Sequence, residues 1–150
     1  MDDKLKEKIE LEIFRINKLF DSGKPLLDLC KIKEPDFIEA SAAGSFLQSF
    51  YNGIESIVVL IFKAIKENIP NDSQWHKKLF EKMFEPNEKR TAIFRYEYKE
   101  QLTEYLSFRH YFRHSYGYEI DWGTLKPLIS GVEELWKKVK EDIEKFIGSN

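Results

Sequence analysis

The sequence predicts an all-α chain folded as an up-and-down bundle of about five helices, and three observations carry that prediction. Apolar residues recur at intervals of three and four along most of the 150 positions, no stretch shows the alternation of a strand, and proline, glycine and short polar clusters divide the periodic stretches. Amphipathic helices joined by short connectors bury all their stripes most simply by packing side by side.

A first helix is predicted over 4–20, where Leu5, Ile9, Ile13, Ile16 and Phe20 form one stripe, and it is expected to stop at Gly23. Residues 24–34, with Pro25 and Cys30, read as a connector. Pro35 suits the first turn of a second helix, where its missing N–H costs nothing. That helix is expected to continue to about Ile69, before Pro70, with Phe46, Phe50, Ile54, Ile57, Val58, Ile61 and Ile65 on its apolar side and Gly44 and Gly53 as weak points. Asn71, Asp72 and Ser73 supply capping chemistry for a short third helix from Trp75 to Met83, closed by Glu85, Pro86 and Asn87. Residues 90–94 fit no single pattern. From about Tyr98, the spacing of Leu102, Tyr105, Leu106, Arg109, Phe112 and Arg113 marks a fourth helix that ends near Tyr116 and Gly117. Asp121 or Thr124 caps a fifth, with Pro127 near its start and Leu125, Leu128, Val132, Leu135, Trp136, Val139, Ile143 and Phe146 on one side.

The length suits a single domain over 1–150 with one core. A lone cysteine excludes an internal disulfide framework, and the amino terminus has no basic patch followed by an apolar stretch like a secretory signal. The longest unbroken aliphatic and aromatic run, residues 57–62, is far short of the roughly 20 needed to cross a bilayer. A cytoplasmic protein that does not engage a membrane is therefore expected. The net charge of −2 argues against coating nucleic acid by bulk electrostatics, so any polyanion site must be local. Between Lys89 and Arg113, six basic side chains stand against three acidic ones. Aromatic residues make up 15% of the chain, more than one small core requires, so some are expected to remain exposed in a homodimer interface.

The densest chemistry lies in Arg109, His110, Tyr111, Phe112, Arg113 and His114, followed by Ser115 and Tyr116. Guanidinium groups bind phosphate through paired hydrogen bonds, and imidazole takes and gives protons near neutrality. RNA cleavage needs a base for the 2'-hydroxyl, a donor for the leaving 5'-oxygen and positive charge at the crowded phosphorus. Arg109 and His114 can supply these without a metal or other cofactor, and Arg113 and His110 add phosphate contacts. On a regular helix Arg109 and His114 diverge by about 140° and roughly 7.5 Å of rise. Either the helix loosens at its end, or a twofold axis gathers copies from two chains around one cleft. His110 and His114 also have the four-residue spacing of a helical zinc pair, but the ligands for a complete site are missing. The plainest reading is a helix end whose cations favour the negative pole of the dipole. Asn52 and Glu55, polar within the apolar second helix, are expected either as a hydrogen-bonded pair supporting the site or as an exposed stripe. Trp75 with His76 reads as a helix start packed on the core. Tyr116 offers an accessible phenol two residues from His114.

Arg109, four residues, His114, one residue and Tyr116 resemble the Arg-x4-His-x-Tyr motif of HepT-like toxins in the HEPN superfamily. Residues 50–55, the Trp75–His76 pair and residues 108–114 look like that group in the same order. The resemblance implies a dimeric HEPN domain acting as a metal-independent ribonuclease on RNA, with Arg109 and His114 as the active pair. It further implies a type VII toxin–antitoxin system, in which a partner resembling the MntA minimal nucleotidyltransferase antitoxin transfers AMP to Tyr116. The alternative is a non-catalytic HEPN-like helical dimer that binds nucleotide or a protein through the same cleft.

Overall fold

In the structure, a computed structural model that describes residues 1–116 and 119–149, five α-helices account for most of the chain and no strand occurs among the described residues. They are α1 (Asp3–Ile32), α2 (Phe37–Ile65), α3 (Trp75–Met83), α4 (Lys99–His114) and α5 (Trp122–Ser149), with a 3-10 turn, Tyr96–Tyr98, leading into α4. The all-α bundle expected from the apolar spacing is the fold observed.

The first helix does not stop at Gly23, and residues 24–34 are not a connector. α1 continues to Ile32, so Pro25 and Cys30 are helical. A helix-interior proline costs about 3 kcal/mol. Here Leu27 and Cys30 are buried, Leu26 and Leu29 pack against the core, and each large apolar side chain contributes about 1.5–3 kcal/mol. Burial therefore outweighs the breaker. Gly23 serves close packing instead, because a Cβ there would lie 2.6 Å from the ring of Phe46 on α2.

Pro35 likewise falls outside the helix it was expected to begin. Asp36 is the N-cap of α2 and forms a reciprocal capping box with Glu39, at 2.8 Å from the Glu39 N–H and 3.0 Å from its own N–H to the Glu39 carboxylate. α2 ends at Ile65 rather than near Ile69, because Lys66 turns into the left-handed region (φ 58°) and the Glu67 N–H closes back onto the Phe62 carbonyl at 3.1 Å. The freed Glu67 accepts from Arg90 Nε at 2.6 Å and Nη2 at 3.2 Å, while the same guanidinium donates to the Lys82 and Glu85 carbonyls. This one side chain explains why residues 90–94 carry no periodic pattern: they form a clasp closing the end of α3.

The hydrogen bond from Arg90 is the chief cause holding the Glu67 carboxyl below its ordinary value of 4.5. A depressed folded-state pKa gives stability that is present above the unfolded value and lost as pH falls through the folded one. Arg90→Ala is therefore expected to cost about 2 kcal/mol at neutral pH and distinctly less below pH 4, read from urea melts across that range.

The centre of the bundle is aromatic. Phe50 meets Phe20, Tyr105 and Trp136 edge-on at 5.7, 5.7 and 6.2 Å, and Phe20 meets Phe46 at 5.1 Å. Most of the aromatic surplus is thus core, whereas Phe14, Phe37, Tyr96 and Tyr116 remain exposed. α2 is long and apolar enough, by length and composition, to cross a membrane. Half of that apolar window is buried inside the bundle, as in a core helix. α5 starts at Trp122 with Asp121 just ahead of it, the Asp121 carbonyl accepting from Thr124 and Leu125, so the later start at Thr124 is not the one used.

Candidate functional site

Three helices build the site. α4 crosses α2 with Tyr105 against Phe50 and Phe112 over Gly44, where a Cβ would come within 2.4 Å of the Phe112 ring. Gly44 is thus a close-packing position rather than a weak point, and Gly53, whose Cβ would meet Ile16 at 2.8 Å, plays the same part towards α1.

From this crossing Arg109, half-buried, turns back onto α2. Its Nε donates to Asn52 Oδ1 at 3.2 Å, and its guanidinium lies 5.4 Å from the centroid of the Tyr51 ring. A cation over a buried phenol ring, tied at one edge by an amide oxygen, is held in one orientation and keeps N–H donors for an anion. The Tyr51 ring is itself fixed against Phe80 at 5.2 Å. Its hydroxyl is buried without a hydrogen bond of standard geometry, and burial, followed by the nearby Glu55 charge, pushes its pKa far above that of an ordinary phenol.

Of the two arrangements expected for Asn52 and Glu55, a mutual hydrogen bond or an exposed stripe, the mutual bond is not formed: Asn52 is exposed and Glu55 is largely buried. Each has a different partner. Asn52 holds Arg109, and Glu55 meets the Nδ1 of His76 at 2.5 Å. Residues three apart on a helix share a face but point to neighbouring turns, so each reaches the helix packed beside it. The role of His76 was not foreseen, since Trp75 and His76 together looked like a helix start packed on the core. Trp75 does pack there, while its ring lies 3.6 Å from that of His76.

α4 stays regular to His114, with Ser115 as its C-cap, and Ser115 Oγ donates to the Tyr111 carbonyl at 2.7 Å. Gly117, expected near this helix end, lies outside the described residues. The helix does not loosen, so within one chain Arg109 and His114 are not brought together. His114 is exposed and faces His110, their ring centroids 4.7 Å apart, and Arg113 is exposed beside them. Among the described residues no cluster of three or more His, Cys, Asp or Glu could hold a metal ion. Tyr116 is 72% exposed, and its backbone N–H donates to the Glu119 carboxylate at 2.6 Å.

The positive excess between Lys89 and Arg113 is narrower than the sequence suggests. Arg90 is committed to Glu67 and Arg95 to Glu141 and Asp142. Of the cations in this stretch Lys89, Arg95 and Arg113 remain exposed, and Arg113 is the one at the end of α4.

The all-α bundle agrees with the comparison against family models, which assigns the chain to the HepT-like proteins of the HEPN superfamily. The family model described as HepT-like protein matches residues 42–150, and the chain belongs to that family. No curated protein and no solved structure matches the chain significantly.

Proposed function

We propose that this chain is the metal-independent ribonuclease toxin of a type VII toxin–antitoxin pair, acting in the cytoplasm as a homodimer of single HEPN-like domains. The observation that carries this reading is the clamped Arg109, tied to Asn52 and seated over Tyr51, at the edge of the exposed group His110, Arg113 and His114. Members of the HepT-like family are in general RNase-related toxins paired with nucleotidyltransferases, which supports the same reading.

In this reading Arg109 binds the scissile phosphate and offsets the charge that grows on it. His114, supplied across the dimer axis, moves a proton, and Arg113 and His110 hold flanking phosphates. The internal 2'-hydroxyl is the nucleophile, so the products are a 2',3'-cyclic phosphate and a 5'-hydroxyl. The nucleotidyltransferase antitoxin neutralises the toxin by joining AMP from ATP to the exposed Tyr116 phenol with release of pyrophosphate. That adduct puts an anionic nucleotide beside Arg113 and His114, where it excludes RNA by charge and volume.

The test uses purified protein with an RNA pool in excess chelator. Cleavage leaving cyclic phosphate ends is expected, with DNA untouched. Intact mass after co-expression with the antitoxin should rise by one or more AMP units, an increment lost in Tyr116→Phe. The second reading, a non-catalytic dimer that binds nucleotide or protein, is favoured by one observation: Arg109 and His114 face apart within the chain. RNA binding without any cleavage would select it.

A further inference from the structure

Cleavage of a phosphodiester by an internal hydroxyl needs two proton transfers, one from the nucleophile and one to the leaving oxygen. His76 has the attributes of a second transfer group. Its Nδ1 meets Glu55 Oε2 at 2.5 Å, and the pair is only partly exposed, 25% for the imidazole and 15% for the carboxylate. A carboxylate can only accept, so Nδ1 carries the proton, and in the neutral ring Nε2 keeps a lone pair. Nε2 has no protein partner among the described residues. The Trp75 ring, tilted 30° at 3.6 Å, braces the imidazole from one face. A histidine fixed by a carboxylate and an aromatic wall, with its second nitrogen unused, is more than an ion pair joining α3 to α2.

Its position adds to this. Glu55 is one turn along α2 from Asn52, the anchor of Arg109, which is about 4.5 Å of rise. Tyr51 spans the interval, its ring under Arg109 and its hydroxyl near Glu55. Beyond Arg109, α4 runs the opposite way along α2, towards Gly44, where Phe112 packs. His76 therefore stands on the side of Arg109 away from the last turn of its own α4, and in the dimer proposed above the second imidazole is the partner subunit's His114.

We propose that His76, oriented by Glu55, is a second catalytic residue of the site, a step that rests on the ribonuclease reading above. His76 Nε2 takes the proton of the 2'-hydroxyl as O2' bonds to phosphorus. The bond from phosphorus to O5' breaks, and the leaving O5' takes a proton from the imidazolium of the partner subunit's His114. Arg109 offsets the charge on the non-bridging oxygens. Each imidazole then returns to its starting form by proton exchange with water. Glu55 is the positioning residue, acting through His76.

The test is single-turnover cleavage of an RNA pool by the intact protein, beside RNA affinity and thermal melting. His76→Ala is expected to cleave about 100-fold more slowly, with affinity within about twofold of wild type, and added imidazole should restore about tenfold. Glu55→Gln is expected to lose about tenfold in rate without loss of affinity. If His76→Ala does not fold, His76→Gln carries the same test, since it keeps a hydrogen bond to Glu55 but takes no proton. Cleavage by a folded His76 variant within about threefold of wild type would overturn the proposal and leave the ribonuclease reading standing. So would a loss explained wholly by weaker RNA binding with no response to imidazole. A wild-type protein that cleaves no RNA overturns both.

Discussion

Arg109→Ala and His114→Ala proteins, each expected to cleave RNA at least about 100-fold more slowly than wild type, should regain about a quarter of wild-type activity when mixed and allowed to exchange protomers. The reason is geometric. α4 is regular through its last turn, so Arg109 reaches Asn52 and Tyr51 while His114 turns outward against His110. If one phosphate takes its arginine from one protomer and its histidine from the other, a mixed dimer holds one site with both residues intact and one with both removed. Random exchange makes half the dimers mixed, and half of their sites work. Recovery is measured as initial rate against mixing ratio, with a maximum at equal amounts. A mixture no faster than its components, despite exchange followed by mass, would place both residues of each site in one chain. The exposed position of His114 also predicts that His114→Ala changes thermal stability by no more than about 0.5 kcal/mol, so its lost rate can be read as lost chemistry.

The same geometry explains what the sequence could and could not disclose. Apolar spacing located all five helices, because period is a local property. The ends of α1 and α2 were misplaced because breakers act locally but are overruled by distant contacts: Pro25 by the burial of Leu27 and Cys30, and the helical pattern up to Ile69 by the pull of Arg90 on Glu67. Arg109, His114 and Tyr116 were legible as a motif because they lie within eight consecutive residues. Tyr51 and His76 were not, since their part depends on α2 bringing Arg109 from α4 and His76 from α3 onto adjacent turns. The sequence carried one faint signal of this, an amide and a carboxylate set among the apolar positions 50, 51, 54, 57 and 58 of α2. Asn52 and Glu55 stand three apart, and such a spacing on a buried helix asks for partners on neighbouring helices.

The largest effect on stability is expected away from the site, at Asp142. It is the only buried charged side chain among the described residues, 7% exposed, in the second half of α5. It accepts from the Arg95 backbone N–H at 2.9 Å and from the Tyr98 hydroxyl at 2.5 Å, and Arg95 Nε lies 2.9 Å from its other oxygen. These bonds tie the 3-10 turn that launches α4 to α5. Tyr98 is 1% exposed, and burial, then the hydrogen bond to Asp142, raises its pKa well above the ordinary phenol value. Asp142→Ala leaves the hydroxyl and the amide without partners, at about 1–3 kcal/mol each, whereas Arg95 reaches solvent and adds little. A loss of about 3 kcal/mol is expected, roughly 10 °C in melting temperature for a chain of this size. Asp142→Asn keeps one acceptor and should fall between. In a Tyr98→Phe background the cost of Asp142→Ala should shrink by about 1 kcal/mol, because one orphan donor is already gone. A loss below about 1 kcal/mol in urea melts would show that water replaces the carboxylate and that α4 is held by apolar packing alone. Because Lys99 begins α4 immediately after this turn, the variant separates fold from chemistry. RNA cleavage by Asp142→Ala should approach wild type at 15 °C and fail on warming through its lowered melting range, whereas His114→Ala is slow at every temperature.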